Sequence, residues 1–226
     1  MEFNDFALNY DEALQQGLTL SGESADYFAR RRAEEVARYA AAMGYRTDTV
    51  LEFGCGTGNN VAHLRAFLGC RRFIGLDIAA EPLSVAQCRH PHPEITFKLV
   101  AEAEPEDTAD LVFVNGVFHH IHRDNHTHTL ETIHSLLVRG GLLALFDNNP
   151  FNLGARWVMK RIPFDRDARM VSPYGLARRA RRTGFVDLTA RFFFIFPRLL
   201  ADLRPLEPRM EHLPFGAQYC IFARKP

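Results

Sequence analysis

The stretch "TVLEFGCGTGNN" (49–60) decides the fold of this chain. Its first half, TVLEF, is typical of a short buried strand, and Gly54, Gly56 and Gly58 then alternate with small residues. A loop that leaves a parallel strand for a helix lies at the carboxyl edge of the sheet, where α/β proteins bind ligands. Glycines there let the backbone adopt positive φ and let a ligand approach main-chain atoms. The stretch therefore predicts either a tight strand–helix turn or a ligand-binding loop.

Strands and helices alternate on both sides of this loop. Helices are predicted at 27–43, 58–68, from residue 80, and at 124–138, where Gly140 and Gly141 would end the last one. Five apolar runs predict strands: TVLEFG (from 49), RFIGLD (from 72), ITFKLV (from 95), DLVFVN (from 110) and GLLALFD (from 141). Strands that are apolar on both faces and separated by helices predict a parallel sheet covered on both sides.

The C-terminal part follows a different pattern. "SPYGLARRARRTGF" predicts a helix with Ser172 as N-cap and Gly184 as its end. Two further strands, "FVDLTARFFFIF" and "AQYCIFARK", are separated by a proline-rich segment without a helical pattern, so they should pair antiparallel at the sheet edge. The predicted fold class is α/β: a single doubly wound Rossmann-like domain with a mostly parallel seven-stranded sheet and an antiparallel last strand.

Composition limits the function classes. The 226 residues include 27 Lys and Arg and 27 Asp and Glu, so the net charge is zero. Such a chain has no strong overall attraction for nucleic acid or anionic membranes, although a local basic patch remains possible. The start does not resemble a secretory signal, no segment is apolar enough to cross a bilayer, and the four cysteines form no C-x-x-C pair. We expect a cytoplasmic protein with reduced thiols.

An acid ends the second predicted strand. Asp77 lies nineteen positions after Gly58, and the loop pattern is E-x-G-x-G-x-G rather than the dinucleotide fingerprint G-x-G-x-x-G. A carboxylate in this place can accept hydrogen bonds from both ribose hydroxyls of a nucleoside. It can equally act as a helix N-cap, and Asp77 alone favours neither role.

In combination, these motifs resemble the class I S-adenosylmethionine-dependent methyltransferases. "VLEFGCGTG" is similar to their first motif, "IGLDIA" to their acidic second strand end, "ADLVFVNGVFHHI" to their fourth strand and "LLVRGGLLAL" to the approach to their fifth. The terminal hairpin resembles their antiparallel seventh strand. "NNPFN", "IPFDRDA" and "LPFGAQY" resemble a bacterial subgroup acting on small molecules, although Asp147-Asn148 stands where Glu-His is commoner.

The resemblance implies S-adenosyl-L-methionine as cofactor and S-adenosyl-L-homocysteine as product. Residues 1–48 would form a helical cap over the cofactor site, with Tyr10, Tyr27 and Phe28 helping to close it, and 49–226 would form the methyltransferase domain. Asp77 would hold the ribose and Ile78 would pack on the adenine, with Glu102 or Ala101 near the adenine amino group. The remaining cofactor-binding residues implied are Glu52, Gly54, Cys55, Gly56 and Gly58 in the loop, and Asn115 and Gly116 after the fourth strand.

Two polar clusters are candidates for the chemistry. His119 and His120 follow the fourth strand, and either could act as a base or only shape the loop through a bond to a backbone carbonyl. In "FDNNPFN", Asp147 would be catalytic and Asn148, Asn149 and Asn152, together with Tyr27, would bind the acceptor. Asn and Asp are also turn residues for purely local reasons. The six histidines in 119–134 show no zinc-site spacing, so no metal is predicted.

The sequence thus predicts a methyltransferase acting on oxygen or nitrogen of a small molecule, as a monomer or homodimer. One alternative is a nucleic-acid methyltransferase, because Arg178, Arg179, Arg181 and Arg182 share a helix. Others are an enzyme that uses the same cofactor without methyl transfer and a non-catalytic cofactor-binding module. No nucleic-acid partner is expected, since a solvated helix face explains the arginines and no aromatic–basic interleaving accompanies them.

Overall fold

Seven strands form one mixed sheet in the computed structural model, which describes residues 22–159 and 168–226. The strand order is β3-β2-β1-β4-β5-β7-β6. Neighbouring strands are parallel except that β7 runs antiparallel to both β5 and β6. The predicted fold class is therefore confirmed. Tyr10 and residues 162–167, which hold most of the "IPFDRDA" segment, lie outside the described residues.

The elements follow the predicted order with changes in extent. The strands are β1 Thr49–Phe53, β2 Arg72–Asp77, β3 Ile95–Leu99, β4 Ala109–Asn115, β5 Leu137–Asn148, β6 Val186–Phe193 and β7 Gln218–Arg224. The helices are α1 Ala25–Met43, α2 Val61–Leu68, α3 Ala80–Arg89, α4 His126–Ser135, α5 Leu153–Met159, α6 Pro173–Arg182 and α7 Glu207–Met210. Short 3-10 helices span Val100–Glu102, Pro105–Asp107, Arg123–Asn125 and Arg198–Leu206.

Two apolar layers cover the two faces of the sheet. Successive strand residues point to opposite faces, so Val50 packs under α1, α2 and α3 whereas Leu51 packs under α4 and α6. Both side chains are fully buried. The helices thus cover β1, β2, β4 and β5 on both faces, whereas the edge strand β3 buries only Phe97.

The N-terminal helix α1 is capped at both ends and packs on the sheet. Its first turn is capped by Ser24, whose Oγ accepts the Tyr27 N–H at 3.1 Å, and Gly44 ends it in the left-handed conformation with φ 71°. The Tyr39 ring stacks on Phe222 of β7 with centroids 3.8 Å apart. Helix α1 therefore packs on the core as an integral layer.

The predicted boundary between the fourth helix and the fifth strand is wrong. Helix α4 ends at Ser135, and β5 begins at Leu137, which pairs with Ala109 of β4. The register shifts between Ala109 and Leu111, and Gly140 at φ 78° lies in the irregular part. Leu137 has the spacing of an apolar helix position, but it pairs with β4 as part of the sheet instead. The proline-rich segment before β7 is likewise not free of helix, since a 3-10 helix and α7 lie within it.

Among residues 22–159 and 168–226, no helix combines the length and apolar character that a bilayer crossing demands.

Candidate functional site

The three glycines of the β1–α2 loop have different surroundings. All have positive φ, at 78° for Gly54, 51° for Gly56 and 79° for Gly58. A Cβ on Gly54 would lie 2.4 Å from Cγ2 of Val117, and one on Gly58 would lie 3.0 Å from the His90 ring. A Cβ on Gly56 would meet nothing within 4 Å. Gly54 and Gly58 therefore serve close packing, and Gly56 presents its main chain to open space.

Cys55 lies within this loop but points inward. Its side chain is buried among core residues, and a Cβ on Gly75 would lie 2.9 Å from its Sγ. Burial raises the pKa of the Cys55 thiol well above its usual value. The side chain thus packs in the core, and only the main chain of Cys55 borders the loop.

Asp77, at the end of β2, joins the glycine loop to helix α3. Its Oδ2 accepts the Gly56 N–H at 2.8 Å, and its Oδ1 accepts the Ala79 N–H at 3.1 Å beside the first turn of α3. A carboxylate has about four acceptor positions, so two remain for ligand donors. The N-cap of α3 is Ala79, without a side-chain cap hydrogen bond, so the N-cap alternative for Asp77 is wrong, and the ribose role stays a prediction. The next residue, Ile78, leaves 74% of its surface exposed at this edge.

Glu52 is a buried carboxyl group beneath the loop. Asn60 Nδ2 donates to Glu52 Oε1 at 2.6 Å, while Oε2 has no hydrogen-bond partner in the described part of the chain. Burial raises the pKa of Glu52 from 4.5 to about 8, against the Asn60 hydrogen bond and the charge of Arg32. Arg32 of α1 donates to Asn60 Oδ1 at 3.5 Å and to Gln218 Oε1 of β7 at 3.2 Å.

Glu102 lies on the 3-10 helix that follows β3. Its Oε2 accepts the Leu99 N–H at 3.1 Å, and Leu99 pairs with Asp77 across the sheet. The exposed Glu102 and its equally exposed neighbour Ala101 are thus close to the end of β2. The structure keeps both on the side where the adenine position is predicted.

A histidine–aspartate pair connects the ends of β4 and β5. Nδ1 of His119 lies 2.6 Å from Oδ1 of Asp147, and both side chains are buried. The Asn148 N–H donates to the same Oδ1 at 2.7 Å, and Oδ2 of Asp147 has no partner in the described residues. A Cβ on Gly116 would lie 3.5 Å from Cε1 of His119. The imidazole therefore lies against the backbone turn that follows Asn115.

The other histidines of this region have different surroundings. The His120 ring lies 4.2 Å from that of His119, centroid to centroid. His126 is buried, with Nε2 3.1 Å from Phe118 O and 3.0 Å from Ile121 O, and burial lowers its pKa. His122, by contrast, is exposed. Within the described residues no group of His, Cys, Asp and Glu is arranged to hold a metal ion.

The asparagines after β5 divide into two kinds. Asn149 Nδ2 donates to Pro214 O at 3.0 Å and to Gly216 O at 2.7 Å, and its Oδ1 accepts the Phe151 N–H. Asn152 caps α5 by accepting the Ala155 N–H at 2.8 Å. For both, the structure favours the alternative role of turn former.

Asn148 differs because the hydrogen bonds of its side chain are longer. Its Nδ2 lies 3.7 Å from Met159 Sδ, and its Oδ1 accepts from Gln218 Nε2 at 3.3 Å. Tyr27 lies half-buried on α1, with Arg204 Cζ 4.8 Å from its ring centroid, and burial raises its pKa. Asn148 therefore remains beside the histidine–aspartate pair, whereas Tyr27 packs against the β6–β7 connection.

Four buried polar atoms at this edge of the sheet have no hydrogen-bond partner within the described residues. They are Glu52 Oε2, Thr57 Oγ1, Asn115 Oδ1 and Asp147 Oδ2. An unsatisfied buried polar group costs about 1–3 kcal/mol, so each of these atoms needs a partner that the described residues do not supply. Thr57 and Asn60 were missed although they lie in the quoted loop. No sequence pattern could have predicted Arg32 and Gln218, because only the folded chain brings them to the loop.

Comparison with known proteins identifies the family. The sequence profile of the family described as "Methyltransferase domain" matches residues 25–190, so the chain belongs to that family. It is 30% identical over 100 residues to a trans-aconitate 2-methyltransferase of Rhizobium rhizogenes, covering 44% of this chain and 38% of the relative. It is 25% identical over 118 residues to the N-demethylindolmycin N-methyltransferase of Streptomyces griseus, covering 50% and 49%. The chain thus spans less than half of the length of these relatives.

Solved structures share the fold. Human N-acetylserotonin methyltransferase in complex with SAM has a TM-score of 0.65 at 17% identity, covering 99% of this chain and 58% of that one. A SAM-dependent methyltransferase of Archaeoglobus fulgidus has a TM-score of 0.61 at 20% identity, covering 85% and 94%.

Proposed function

We propose that this chain is an S-adenosylmethionine-dependent methyltransferase acting on oxygen or nitrogen of a small-molecule acceptor. The observation that carries the proposal is the set of four partnerless polar atoms at or after the carboxyl ends of β1, β4 and β5, together with Gly56, where a Cβ would meet nothing within 4 Å. Membership of the methyltransferase family supports it. The small-molecule acceptors in the names of the trans-aconitate and N-demethylindolmycin enzymes support the acceptor class.

The residues present fit this cofactor. Asp77 retains acceptor positions for two ribose hydroxyls, and Ile78 offers an exposed apolar side chain for the adenine. Glu52 and Asn115 have partnerless oxygens that would accept hydrogen bonds from the ammonium group of the amino-acid end, and Glu102 would accept from the adenine amino group. Cofactor binding by Gly54 and Gly116 would be through the main chain, as it would by Cys55 and Gly58. When bound, the cofactor supplies an activated methyl group.

His119 is proposed as the base that removes the acceptor proton. The bond of its Nδ1 to Asp147 holds the imidazole in the tautomer whose Nε2 can accept a proton, and the carboxylate stabilises the imidazolium that forms. His120 packs beside the ring and would limit its rotation. The ends of β4 and β5 lie next to each other in the sheet, so this pair borders the cofactor position at Asn115.

Helix α1 is proposed to close the cofactor site, as the N-terminal part (1–48) of a molecule whose remaining residues (49–226) form the methyltransferase domain. Arg32 supports this, because it bridges from α1 to Asn60 above Glu52 and to Gln218 of β7. Arg38 of α1 donates to the buried Glu211 at 2.7 Å and fixes the helix to the β6–β7 connection. Asn148 is the asparagine proposed to contact the acceptor.

We further propose a bacterial, cytoplasmic enzyme that acts as a monomer or homodimer. The bacterial sources of the relatives support a bacterial origin. The four cysteines, all free thiols, support a reducing compartment such as the cytoplasm. The deciding experiment is incubation with isotope-labelled cofactor and a cell extract of the source, followed by mass spectrometry of the molecules that gain a methyl group. Calorimetric titration with S-adenosylhomocysteine tests the cofactor separately. Absence of heat and of labelled product together would refute the proposal.

A further inference from the structure

The charge of the chain is segregated along its sequence. Residues 148–186 carry nine Lys and Arg and two Asp, a net charge of +7, so the rest of the neutral chain carries −7. The described residues of this stretch, 148–159 and 168–186, include six arginines and no acidic residue. The zero total charge therefore conceals a strongly basic segment of the sequence.

Helix α6 arranges this charge as a stripe. Leu176 and Ala180 are buried, and the opposite side exposes Tyr174, Arg178 and Arg182 at a spacing of four residues. Residues four apart lie on the same helix face, about 6 Å along its axis. Arg181 is exposed beside them. Because the first residue of the stripe is an aromatic and the rest are guanidinium groups, the helix presents an apolar end and a basic end.

Exposed apolar side chains continue the stripe on α5. The ring of Phe151 lies 6.1 Å from that of Tyr174, and these side chains are 51% and 56% exposed. On α5, Leu153 is 76% exposed and Trp157, one turn later, 38%. A largely exposed aliphatic side chain and three partly exposed aromatic rings beside basic residues are typical of interfacial membrane contacts, where Trp and Tyr lie at headgroup level.

We propose that this α5–α6 surface, formed by these apolar side chains and the Arg178, Arg181 and Arg182 guanidinium groups, binds the surface of an anionic lipid bilayer. Arginines would contact lipid phosphates, and Leu153 and Trp157 would enter the headgroup region. A polynucleotide fits less well, because an aliphatic side chain such as Leu153 gives it no stacking surface.

The surface adjoins the acceptor side of the proposed site. Met159 at the end of α5 contacts Asn148 through its Sδ, and Phe151 follows β5 directly. Binding through α5 and α6 would therefore place the end of β5 close to the bilayer. The inference does not depend on the proposed function, since lipid binding can be measured without methyl transfer.

The chain carries its own probe, because Trp157 is the only tryptophan. Intrinsic fluorescence of the full chain is recorded while vesicles of phosphatidylglycerol and phosphatidylcholine, or of phosphatidylcholine alone, are added at low salt. We expect a blue shift and reduced acrylamide quenching with the anionic vesicles only. A triple variant, R178Q, R181Q and R182Q, should bind about a hundredfold more weakly, at about fivefold per basic residue near an anionic surface.

Matched variants distinguish vesicle binding through this surface from a general effect of net charge. The substitutions R30Q, R46Q and R71Q remove the same charge from exposed positions elsewhere and should change vesicle binding less than threefold. Leu153→Asn alters no charge and should weaken binding, and circular dichroism confirms that each variant folds. The proposal is overturned by indifference to anionic vesicles, by equal losses in the two triple variants, or by tight binding of single-stranded RNA without vesicle binding.

Discussion

Replacing Glu52 by glutamine should remove a specific part of the pH dependence of stability. The folded protein holds a proton on Glu52 up to pH about 8, since burial raises its pKa from 4.5 to that value. Between these two pH values the folded state binds one proton more than the unfolded state, so the free energy of unfolding falls as pH rises. Each unit of pKa difference is about 1.4 kcal/mol, so complete deprotonation of folded Glu52 costs about 5 kcal/mol.

Glutamine is a close replacement because its carbonyl oxygen can still accept the hydrogen bond from Asn60. Urea unfolding of the ligand-free protein and of Glu52→Gln is compared at pH 5, 6, 7 and 8. The stability of the variant relative to the wild type should rise by about 3.5 kcal/mol between pH 5 and pH 8. Other titrating groups contribute equally to both proteins and cancel in this difference. Parallel pH profiles would refute the reasoning, because Glu52 would then titrate alike in the folded and unfolded states.

Three further predictions concern the ligand site. Asp77→Ala should weaken S-adenosylhomocysteine binding at least a hundredfold in calorimetry, because two charge-assisted hydrogen bonds to the ribose are lost; an affinity within threefold of the wild type would contradict the ribose assignment. His119→Asn and Asp147→Asn should each lower kcat about 10²–10⁴-fold with cofactor affinity unchanged, and added imidazole should partly restore only the former; full activity in either would exclude a base role. Gly54→Ala should lower the melting temperature because its new Cβ would contact the neighbouring valine. Gly56→Ala should lower the melting temperature less and should weaken cofactor binding. A larger loss of melting temperature in Gly56→Ala than in Gly54→Ala would be inconsistent with the assigned roles.

The sequence predicted the parts of the site that depend on local chain geometry. The glycine loop follows the end of β1, and Asp77 is the last residue of β2. Because parallel strands bring their carboxyl ends to one edge of the sheet, the contact between Asp77 and Gly56 follows from the topology. The bond between His119 and Asp147 has the same origin, since β4 and β5 are neighbours. Residues at strand ends were therefore predictable without knowledge of packing.

The remaining residues depend on packing that no local pattern encodes. Arg32 and Gln218 are 186 positions apart, and only the docking of α1 over β7 joins them above Glu52. Leu137 has the spacing of a helix face, yet a register shift in β5 takes it into the sheet. Asn149 and the loop before β7 bind each other through main-chain carbonyls, which are invisible in side-chain patterns. Contacts between residues at the ends of neighbouring strands were thus predictable, whereas contacts that depend on the docking of α1 and of the β6–β7 connection required the structure.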